Sequence, residues 1–321
     1  MAEFSEIWVF SEKPSFTAEL IGGGRSLLPA VGGRLTAVIY GSREKAEEAI
    51  QYGADRVLWL ENPLGSEVPV ENIVPTLARQ IEDQKPRLVL IGTTRRGRAV
   101  AGRLAARLGT TVITDVNQLT YQDGELLARH MIFGGGAVRL EKPRGETILA
   151  TAGLGVFVSP GLGHPAGGDI QKIELVEPEW QVTLRDRKVR MAAPVNLVAA
   201  RKIVCVGRGV GKKEDLSLVE DLARALNAEI ACTRPIAEGL NWLPRERYIG
   251  VSGAQVRPDL YVGVGVSGQV QHTVGMSMSR MVVAINKDAN APIFSQTDYS
   301  LVGDLYTLVP LLSEALKNRK P

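Results

Sequence analysis

Residues 260–286 read LYVGVGVSGQVQHTVGMSMSRMVVAIN, and this stretch decides the fold. Residues 260–266 are apolar and largely β-branched, which predicts a strand buried on both faces. Residues 281–285 predict a second buried strand. Between them, a break at Ser267 and Gly268 is followed by polar side chains, where we expect a helix to begin. Two strands with a short crossover predict a parallel, right-handed βαβ unit, whose ligand lies beyond the carboxyl ends of its strands.

A glycine pattern in the same stretch suggests one class of ligand. Gly263, Gly265 and Gly268 match the G-x-G-x-x-G pattern of dinucleotide-binding turns. The match is weak because the first two glycines fall inside the predicted strand rather than in the turn after it. Asn286 and Asp288 are also only loosely placed for a contact with a ribose. The NAD-binding subunit of a dehydrogenase is therefore an alternative interpretation of this pattern.

From residue 202 onward, the chain alternates strands and helices. Residues 202–206 and 229–232 predict buried strands, and residues 248–253 predict the end of another. Residues 216–226 predict an amphipathic helix with Asp215 as its N-cap. If the strands are parallel, the loops at their carboxyl ends meet at one edge of the sheet. The polar residues in these loops are Arg208, Thr233, Arg234, Ser252, Ser267, His272 and Asn286.

Each of these polar residues also has an ordinary structural explanation. Arg234 can form a surface ion pair with Glu238 or Glu246, as exposed arginines commonly do. A serine after a strand is most often a helix cap, and a single histidine is most often a hydrogen-bonded structural residue. The evidence for a binding site is therefore the whole set and its order, and not any one member.

The first part of the chain predicts a doubly wound α/β domain. After this alternating part, residues 118–121 and 126–133 predict a hairpin with a turn at Asp123 and Gly124, and residues 153–171 an irregular connection. The predicted strands are 7–10, 35–40, 56–60, 88–91 and 111–116, and the predicted helices are 43–52, 72–83 and 97–108.

Two clusters of residues in this part have compositions found in phosphate-binding loops. Residues 93–98 read TTRRGR, follow a predicted strand and open a predicted helix, and helix starts bind anions. We favour a capped, solvent-facing helix start, because the stretch lacks a full phosphate-loop pattern. Residues 22–25 read GGGR, and we interpret them as a turn.

A composition change near Pro194 marks the predicted domain boundary. Residues 1–193 then form the first domain and residues 194–321 the second, an organisation that suits a chain of 321 residues. Residues 191–194 are the positions where we expect a hinge between the domains.

Composition limits the classes of function. A net charge of +3, with acidic and basic residues mixed, argues against binding of nucleic acid. No apolar run reaches the ~20 residues needed to span a bilayer, and the N-terminus is too polar for a signal peptide. Cys205 and Cys232 fall in predicted buried strands, so we expect a reduced, cytoplasmic protein. The three histidines have no spacing typical of a metal site, and we expect none.

Six segments of the sequence resemble one protein family in content and in order. GRGVG, CTRPIAEG and YIGVSG precede SGQVQH, which is followed by VVAINKDANAPIF and DYSLVGDLY. This combination resembles the α subunits of electron transfer flavoproteins. The resemblance implies an N-terminal nucleotide-binding-like α/β domain that has lost its ligand and contacts a partner subunit. It implies a C-terminal Rossmann-like parallel-sheet domain that binds FAD.

The resemblance also implies roles for individual residues. Backbone N–H groups of residues 267–270 would bind the pyrophosphate, with Gly268 allowing a close approach. His272 would place a donor or a positive charge near N1 and O2 of the flavin, Arg234 would lie near N5, and Ser252 would offer a hydroxyl to N5 or O4. The full expected set is Arg208, Thr233, Arg234, Ile249, Gly250, Val251, Ser252, Ser267, Gly268, Gln269, Val270, Gln271, His272, Asn286, Asp304 and Leu305.

By the same resemblance, the chain is an electron-carrier subunit rather than a stand-alone enzyme, with no catalytic residues of its own. Its partners would be a β subunit and a flavin dehydrogenase such as an acyl-CoA dehydrogenase, with NADH, quinone or ferredoxin systems as other possibilities. A second alternative is a non-catalytic nucleotide-binding regulatory protein built on the first domain.

Overall fold

The chain divides into two compact units. The computed structural model describes residues 6–62, 69–133, 136–164, 167–179, 181–186 and 195–318. The first unit comprises Met1–Met131 and Val138–Lys188, and the second comprises Ile132–Ala137 and Val189–Pro321. The predicted boundary near Pro194 and the predicted hinge at residues 191–194 lie outside the described residues, and both stay predictions.

The first unit is built on a mostly parallel sheet. Its strands are β1 (Glu6–Phe10), β2 (Arg34–Gly41), β3 (Arg56–Glu61), β4 (Leu88–Gly92), β5 (Val112–Gln122), β6 (Glu125–Ile132), β7 (Ala137–Glu141), β8 (Ile148–Ala152) and β9 (Asp169–Lys172). Its α-helices are α1 (Pro14–Val31), α2 (Arg43–Gln51), α3 (Val74–Gln84) and α4 (Arg95–Arg107), with a 3₁₀ turn at Val70–Ile73. The strand order is β7-β6-β5-β8-β4-β1-β2-β3-β9, in which β1 pairs in parallel with both β2 and β4.

The predicted strands and helices of this unit are confirmed, with small changes at their ends. The strands are buried on both faces: Ile7 and Val9 belong to one hydrophobic core, and Trp8 and Phe10 to the other. The hairpin of β5 and β6 is also confirmed, with positive φ at Asp123 and at the glycine after it.

Strand β5 is longer than predicted, because the two segments predicted on either side of residue 117 form one strand. Its register shifts near Asp115, which has a φ of 54°, so a bulge joins the two segments. Thr94 caps α4 by accepting a hydrogen bond from the N–H of Gly97 at 2.8 Å, which confirms the capped helix start.

The prediction of a turn at residues 22–25 is wrong, because these residues lie in the middle of α1. The three glycines allow neighbours to approach the helix closely. A Cβ on Gly22 would lie 2.0 Å from the carbonyl oxygen of Val158, and one on Gly23 would lie 2.5 Å from the ring of Phe157. A Cβ on Gly24 would lie 2.4 Å from Leu35. These contacts offset the low helix propensity of glycine.

Three strands of the first unit were not predicted. β8 is short and fully buried between β4 and β5, and β7 lies at one end of the strand order. The irregular connection predicted for residues 153–171 is irregular in its described part up to residue 168, but β9 begins at Asp169 and pairs with β3.

The second unit is a parallel sheet of five strands. Its strands are β10 (Lys202–Val206), β11 (Glu229–Cys232), β12 (Leu260–Val264), β13 (Val282–Asn286) and β14 (Tyr299–Val302). Its α-helices are α5 (Leu216–Leu226), α6 (Val270–Thr273) and α7 (Leu305–Asn318). The order is β11-β10-β12-β13-β14, and every pair is parallel. The predicted parallel sheet and the helix at residues 216–226 are confirmed.

Three local predictions in this unit need correction. The helix expected after Gly268 is only the four-residue α6, followed by turns. Residues 248–253 make single bridges rather than a strand end, one of them between Tyr248 and Cys232. Asp215 does not cap α5 with its side chain, because its carboxylate accepts a hydrogen bond from the Tyr306 hydroxyl at 2.6 Å.

Both cysteines are buried free thiols. Burial raises the pKa of Cys205 far above its usual value, and burial raises the pKa of Cys232 to about 12. Both side chains are therefore neutral thiols at physiological pH. Among the described residues, no helix combines the length and the apolar character needed to cross a lipid bilayer.

Candidate functional site

The candidate site lies at the carboxyl ends of the strands of the second sheet. From β10 the chain passes first to β11 on one side, and β12 lies on the other side of β10. This change of direction is the topological switch point at which open parallel sheets bind ligands. A cleft of about 990 Å³ opens there, at the upper end of the range typical of cofactor sites.

Most of the predicted site residues line this cleft. The loops after four parallel strands carry them to the same edge, as the parallel topology requires. The predicted residues that line the cleft are Arg208, Thr233, Arg234, Val251, Ser252, Ser267, Gly268, Gln269, Gln271, His272 and Asn286.

Five predicted residues do not line the cleft. Ile249 and Gly250 lie behind it, where the Ile249 carbonyl accepts a hydrogen bond from the His272 ring. Val270 is half exposed, and Asp304 accepts a hydrogen bond from the N–H of Tyr306 at the start of α7. Leu305 packs into the hydrophobic core. Their contacts with FAD stay predictions.

Sequence reasoning missed several residues of the cleft wall. The signal for most of them was present, because they belong to segments that carried the family resemblance, such as GRGVG, CTRPIAEG and VVAINKDANAPIF. The cleft residues outside the expected FAD-binding set are Gly209, Pro235, Glu238, Gly239, Tyr248, Gly265, Val266, Asp288, Ala291 and Pro292. Of these, Gly265 and Asp288 were considered only for the NAD alternative.

Glycines let the loops around the cleft pack backbone against backbone. The N–H of Gly209 donates to the carbonyl oxygen of Gly265 at 2.9 Å, and a Cβ on Gly209 would lie 2.7 Å from the Gly265 Cα. Gly265 has a φ of 63° and follows β12, so its predicted place inside the strand is wrong. Gly263 does lie inside β12, so the glycine pattern does not form a dinucleotide-binding turn, which removes the support for an NAD site.

Gly268 has a different role from the one expected. A Cβ at this position would lie 2.1 Å from the backbone nitrogen of Ile293, which donates to the carbonyl oxygen of Ser267 at 3.0 Å. The glycine therefore admits the segment around Ile293, where we had expected it to admit a phosphate. Because α6 has only four residues, its dipole is small, and the expected binding of a pyrophosphate by the N–H groups of residues 267–270 stays a prediction.

Among the residues that line the cleft, Thr233 has a buried hydroxyl that a ligand can engage. This residue is 8% exposed, and its hydroxyl has no hydrogen-bond partner among the residues that the structure describes. A buried hydroxyl without a partner costs free energy, and such groups are rare in native proteins. Since Thr233 also lines the cleft, a polar group of a ligand can complete its hydrogen bonding.

His272 is neutral, and the protein engages both of its ring nitrogens. Nδ1 lies 3.0 Å from the Ile249 carbonyl oxygen, which can only accept, so Nδ1 carries the proton. A neutral imidazole has one N–H, so Nε2 accepts from the Tyr261 hydroxyl at 2.7 Å. Burial lowers the pKa of His272 from 6.5 to about 4. In this arrangement His272 therefore offers neither a free N–H nor a positive charge to the cleft.

Two arginines bring positive charge to the cleft. Within the described part of the chain, Arg208 has no hydrogen-bond or ion-pair partner, and its side chain is exposed. Arg234 donates from Nε to Glu238 at 2.6 Å, so the ion pair considered from the sequence is present. Glu238 also forms an ion pair with Arg245, whose Nε lies 3.0 Å from Oε1. The pair does not remove Arg234 from the site, because both partners line the cleft.

Asn286 and Ser252 are partly engaged by the protein. The Asn286 side chain donates to the Val266 carbonyl oxygen at 2.9 Å and accepts from the N–H of Asp288 at 3.0 Å. It thereby ties the loop after β13 to the loop after β12. The Ser252 hydroxyl lies 3.2 Å from the Tyr248 hydroxyl, and both side chains line the cleft.

An open parallel sheet with a cleft at its switch point is typical of proteins that bind a dinucleotide-type cofactor. Residues 196–277 match the electron transfer flavoprotein FAD-binding domain, and residues 8–178 match the electron transfer flavoprotein domain. A relative in Escherichia coli (strain K12), named provisionally as the electron transfer flavoprotein subunit YdiR, is 37% identical, over 98% of this chain and 99% of the relative. Protein FixB of Escherichia coli O157:H7 and of Shigella flexneri is also 37% identical, with the same coverage.

The chain belongs to the electron transfer flavoprotein α subunit family, and it is an electron carrier with FAD as its cofactor. The resemblance seen in the sequence is thereby confirmed. The residues of the cleft suit this cofactor: Arg208 supplies a positive charge for phosphate groups, and Thr233 supplies a hydroxyl that needs a polar partner. Family membership also implies a β-subunit partner and electron donors.

Proposed function

We propose that FAD occupies the cleft at the carboxyl ends of β10, β11, β12 and β13. The unpartnered hydroxyl of Thr233 is the observation that carries this proposal. Bound there, FAD supplies the electron-accepting isoalloxazine ring. Arg208 and the N–H groups of residues 267–270 would neutralise and bind its pyrophosphate. Asp304 and Leu305 would contact FAD from the start of α7, beyond the cleft wall.

Around the ring, each residue has a separate task. The Arg234 guanidinium would supply positive charge beside the ring, and the Ser252 hydroxyl would donate a hydrogen bond to it. The neutral His272 would form a fixed wall, because its proton is held by the Ile249 carbonyl oxygen. Together these groups exclude water and set the local electrostatic potential.

We propose that the chain works as a carrier rather than as a stand-alone enzyme. It would accept electrons from a flavin dehydrogenase such as an acyl-CoA dehydrogenase, or exchange them with NADH, quinone or ferredoxin partners. The first domain, residues 1–193, would contact the β subunit. Co-expression of the two subunits, followed by sedimentation, tests the heterodimer, and reduction by a purified acyl-CoA dehydrogenase tests the donor.

We also propose a cytoplasmic location. The two buried, unpaired thiols Cys205 and Cys232 support it, because reduced cysteines are usual in that compartment. Cell fractionation with an antibody against the chain tests this proposal.

The FAD site is tested by replacing Thr233 with residues of similar size. Thr233→Val removes the hydroxyl and should weaken FAD binding roughly tenfold, which corresponds to about 1.4 kcal/mol, whereas Thr233→Ser should keep most of the affinity. Because the hydroxyl is unpartnered without a ligand, Thr233→Val should leave the stability of the FAD-free protein equal or slightly higher. Titration of FAD into the deflavinated heterodimer measures the affinity. Equal affinities for wild type and Thr233→Val would reject this placement of FAD.

A further inference from the structure

Glu238 places a carboxylate in a cleft that takes an anionic cofactor. A negative charge beside a pyrophosphate, or beside a ring that gains electrons, opposes both unless it is neutralised. Glu238 is neutralised by two guanidinium groups: Oε2 accepts from Arg234 at 2.6 Å, and Oε1 lies 3.0 Å from Nε of Arg245. The hydrogen bond from Arg234 is also the main cause that lowers the pKa of Glu238. The carboxylate is therefore charged and joins two guanidinium groups, one by a hydrogen bond and one by an ion pair.

The backbone that carries this bridge is a short and unusual turn. Residues Pro235–Gly239 form a π-helical turn directly after Thr233 and Arg234, and Leu240 closes it with a hydrogen bond to the Pro235 carbonyl oxygen at 2.8 Å. Such turns are rare and occur frequently at functional sites. The turn brings Glu238 back beside Arg234, so both side chains lie on the same part of the cleft wall.

Glu238 holds Arg234 by one nitrogen only. The bond is made by Nε, and among the described residues the two terminal amino groups of Arg234 have no hydrogen-bond partner. The Arg234 side chain is 66% exposed, whereas that of Glu238 is 28% exposed. An exposed arginine without such an anchor samples many rotamers. The better-buried carboxylate therefore limits where the terminal amino groups can point.

We propose that Glu238 is a positioning residue for the electron-accepting ring: it holds the Arg234 guanidinium by Nε so that its terminal amino groups face the bound FAD. This inference rests on the proposed placement of FAD in the cleft. It predicts that Glu238 raises the reduction potential of the flavin, although its negative charge alone would lower it. A carboxylate that acted only by its charge would disfavour reduction, whereas a carboxylate that positions Arg234 favours it.

The test is the one-electron reduction potential of the FAD-loaded heterodimer, measured by spectroscopic redox titration. Glu238→Ala should shift the equilibrium roughly tenfold toward oxidised flavin, which equals a potential lower by ~59 mV. Glu238→Gln keeps an oxygen that can accept from Nε, so it should retain most of the wild-type potential. In the Arg234→Ala background, Glu238→Ala should have no further lowering effect, because the two residues act as one unit.

Glu246→Ala is the matched control, since it removes an acidic residue from the neighbouring 3₁₀ turn Arg245–Arg247, and it should not lower the potential. If Glu238→Ala raises the potential, or lowers it equally with and without Arg234, the positioning role is wrong while the FAD site stands. If the wild-type heterodimer holds FAD elsewhere or not at all, the proposed site is wrong, and this inference fails with it.

Discussion

The two parallel sheets of this protein present very different edges at the carboxyl ends of their strands. In the second unit, a cleft of about 990 Å³ opens at the switch point between β10 and β12. In the first unit, the cavity at the ends of β1 and β2 measures about 20 Å³, which is room for about one water molecule. Both sheets have parallel strands in this region, so topology alone does not decide whether such an edge is open.

The difference lies in what meets at the strand ends. In the first unit, the ring of Phe16 lies 3.0 Å from the position of a Cβ on Gly92, at the end of β4, and the Ser11 hydroxyl is equally close. In the second unit, backbone meets backbone at Gly209 and Gly265. Main-chain packing occurs at the filled edge as well, where a Cβ on Gly97 would lie 2.0 Å from the Gly92 carbonyl oxygen. The side chains of Phe16 and Ser11 are therefore what distinguishes the filled edge from the open one.

The largest effect is expected from opening the filled edge. Phe16 is 3% exposed, so Phe16→Ala should destabilise the first unit by about 3–5 kcal/mol through lost burial and a cavity. Phe16→Leu should cost much less. Urea unfolding measures both variants, and FAD content should not change if the open edge belongs to the second unit alone. Loss of FAD in a folded Phe16→Ala variant contradicts this separation.

The next effect comes from distorting the open edge. Gly268 has a φ of 89° and no room for a Cβ, so Gly268→Ala should destabilise the second unit by about 2–4 kcal/mol and reduce FAD retention. Gly239 is the matched control, because it also lines the cleft, but a Cβ there meets no atom within 4 Å. Denaturant unfolding and FAD content should separate the two variants. A similar loss of stability and of FAD in the Gly268 and Gly239 variants would show that the close contact with Ile293 is not the reason for glycine at position 268.

A moderate effect is expected from pH. The pKa of His272 is about 4 in the folded chain and about 6.5 when unfolded, so the unfolded chain binds the extra proton between these values. Stability is thus fully present above about pH 6.5 and decreases as the pH falls toward 4. Between pH 8 and pH 5 the loss from this residue should be about 2 kcal/mol. His272→Gln should remove that part of the pH dependence, as urea unfolding at pH 8 and at pH 5 would measure.

The smallest effect concerns a loop beside the open edge. The Tyr306 hydroxyl donates to Asp215 at 2.6 Å and accepts from the N–H of Gly211 at 3.0 Å, which ties α7 to the loop after β10. Tyr306→Phe should therefore cost about 1 kcal/mol of stability with little change in FAD affinity. Tyr299→Phe is the control, since Tyr299 is exposed and makes no side-chain hydrogen bond among the described residues. Equal unfolding midpoints for Tyr306→Phe and Tyr299→Phe would show that the hydrogen bonds of Tyr306 do not stabilise the protein.

The fold was predictable where a signal was local. Continuous apolar segments, typical of strands buried on both faces, predicted β1 and β12. Apolar residues at helical spacing predicted α5. Helix α1 was missed because its three glycines indicate a turn when read alone. Their reason lies in distant partners such as Phe157 and Val158, which no local pattern reports.

The sequence predicted which edge of the sheet forms the candidate site, but it did not predict the hydrogen bonds within the site. The order of the strand-end loops brought Arg208, Thr233 and His272 together. The protonation of His272 was not predictable, because it depends on the Ile249 carbonyl and the Tyr261 hydroxyl. No pattern in the sequence indicates that these atoms contact the ring. Tertiary packing, rather than residue type, sets the protonation of a buried histidine.

The buried thiols have a consequence for how long such a carrier survives. A reduced flavin exposed to oxygen generates peroxide, and peroxide attacks thiolates rather than thiols. Burial keeps Cys205 and Cys232 in the thiol form, within the strands on which the cleft is built. These two thiols are thus poor targets for peroxide, and their oxidation should follow unfolding rather than turnover.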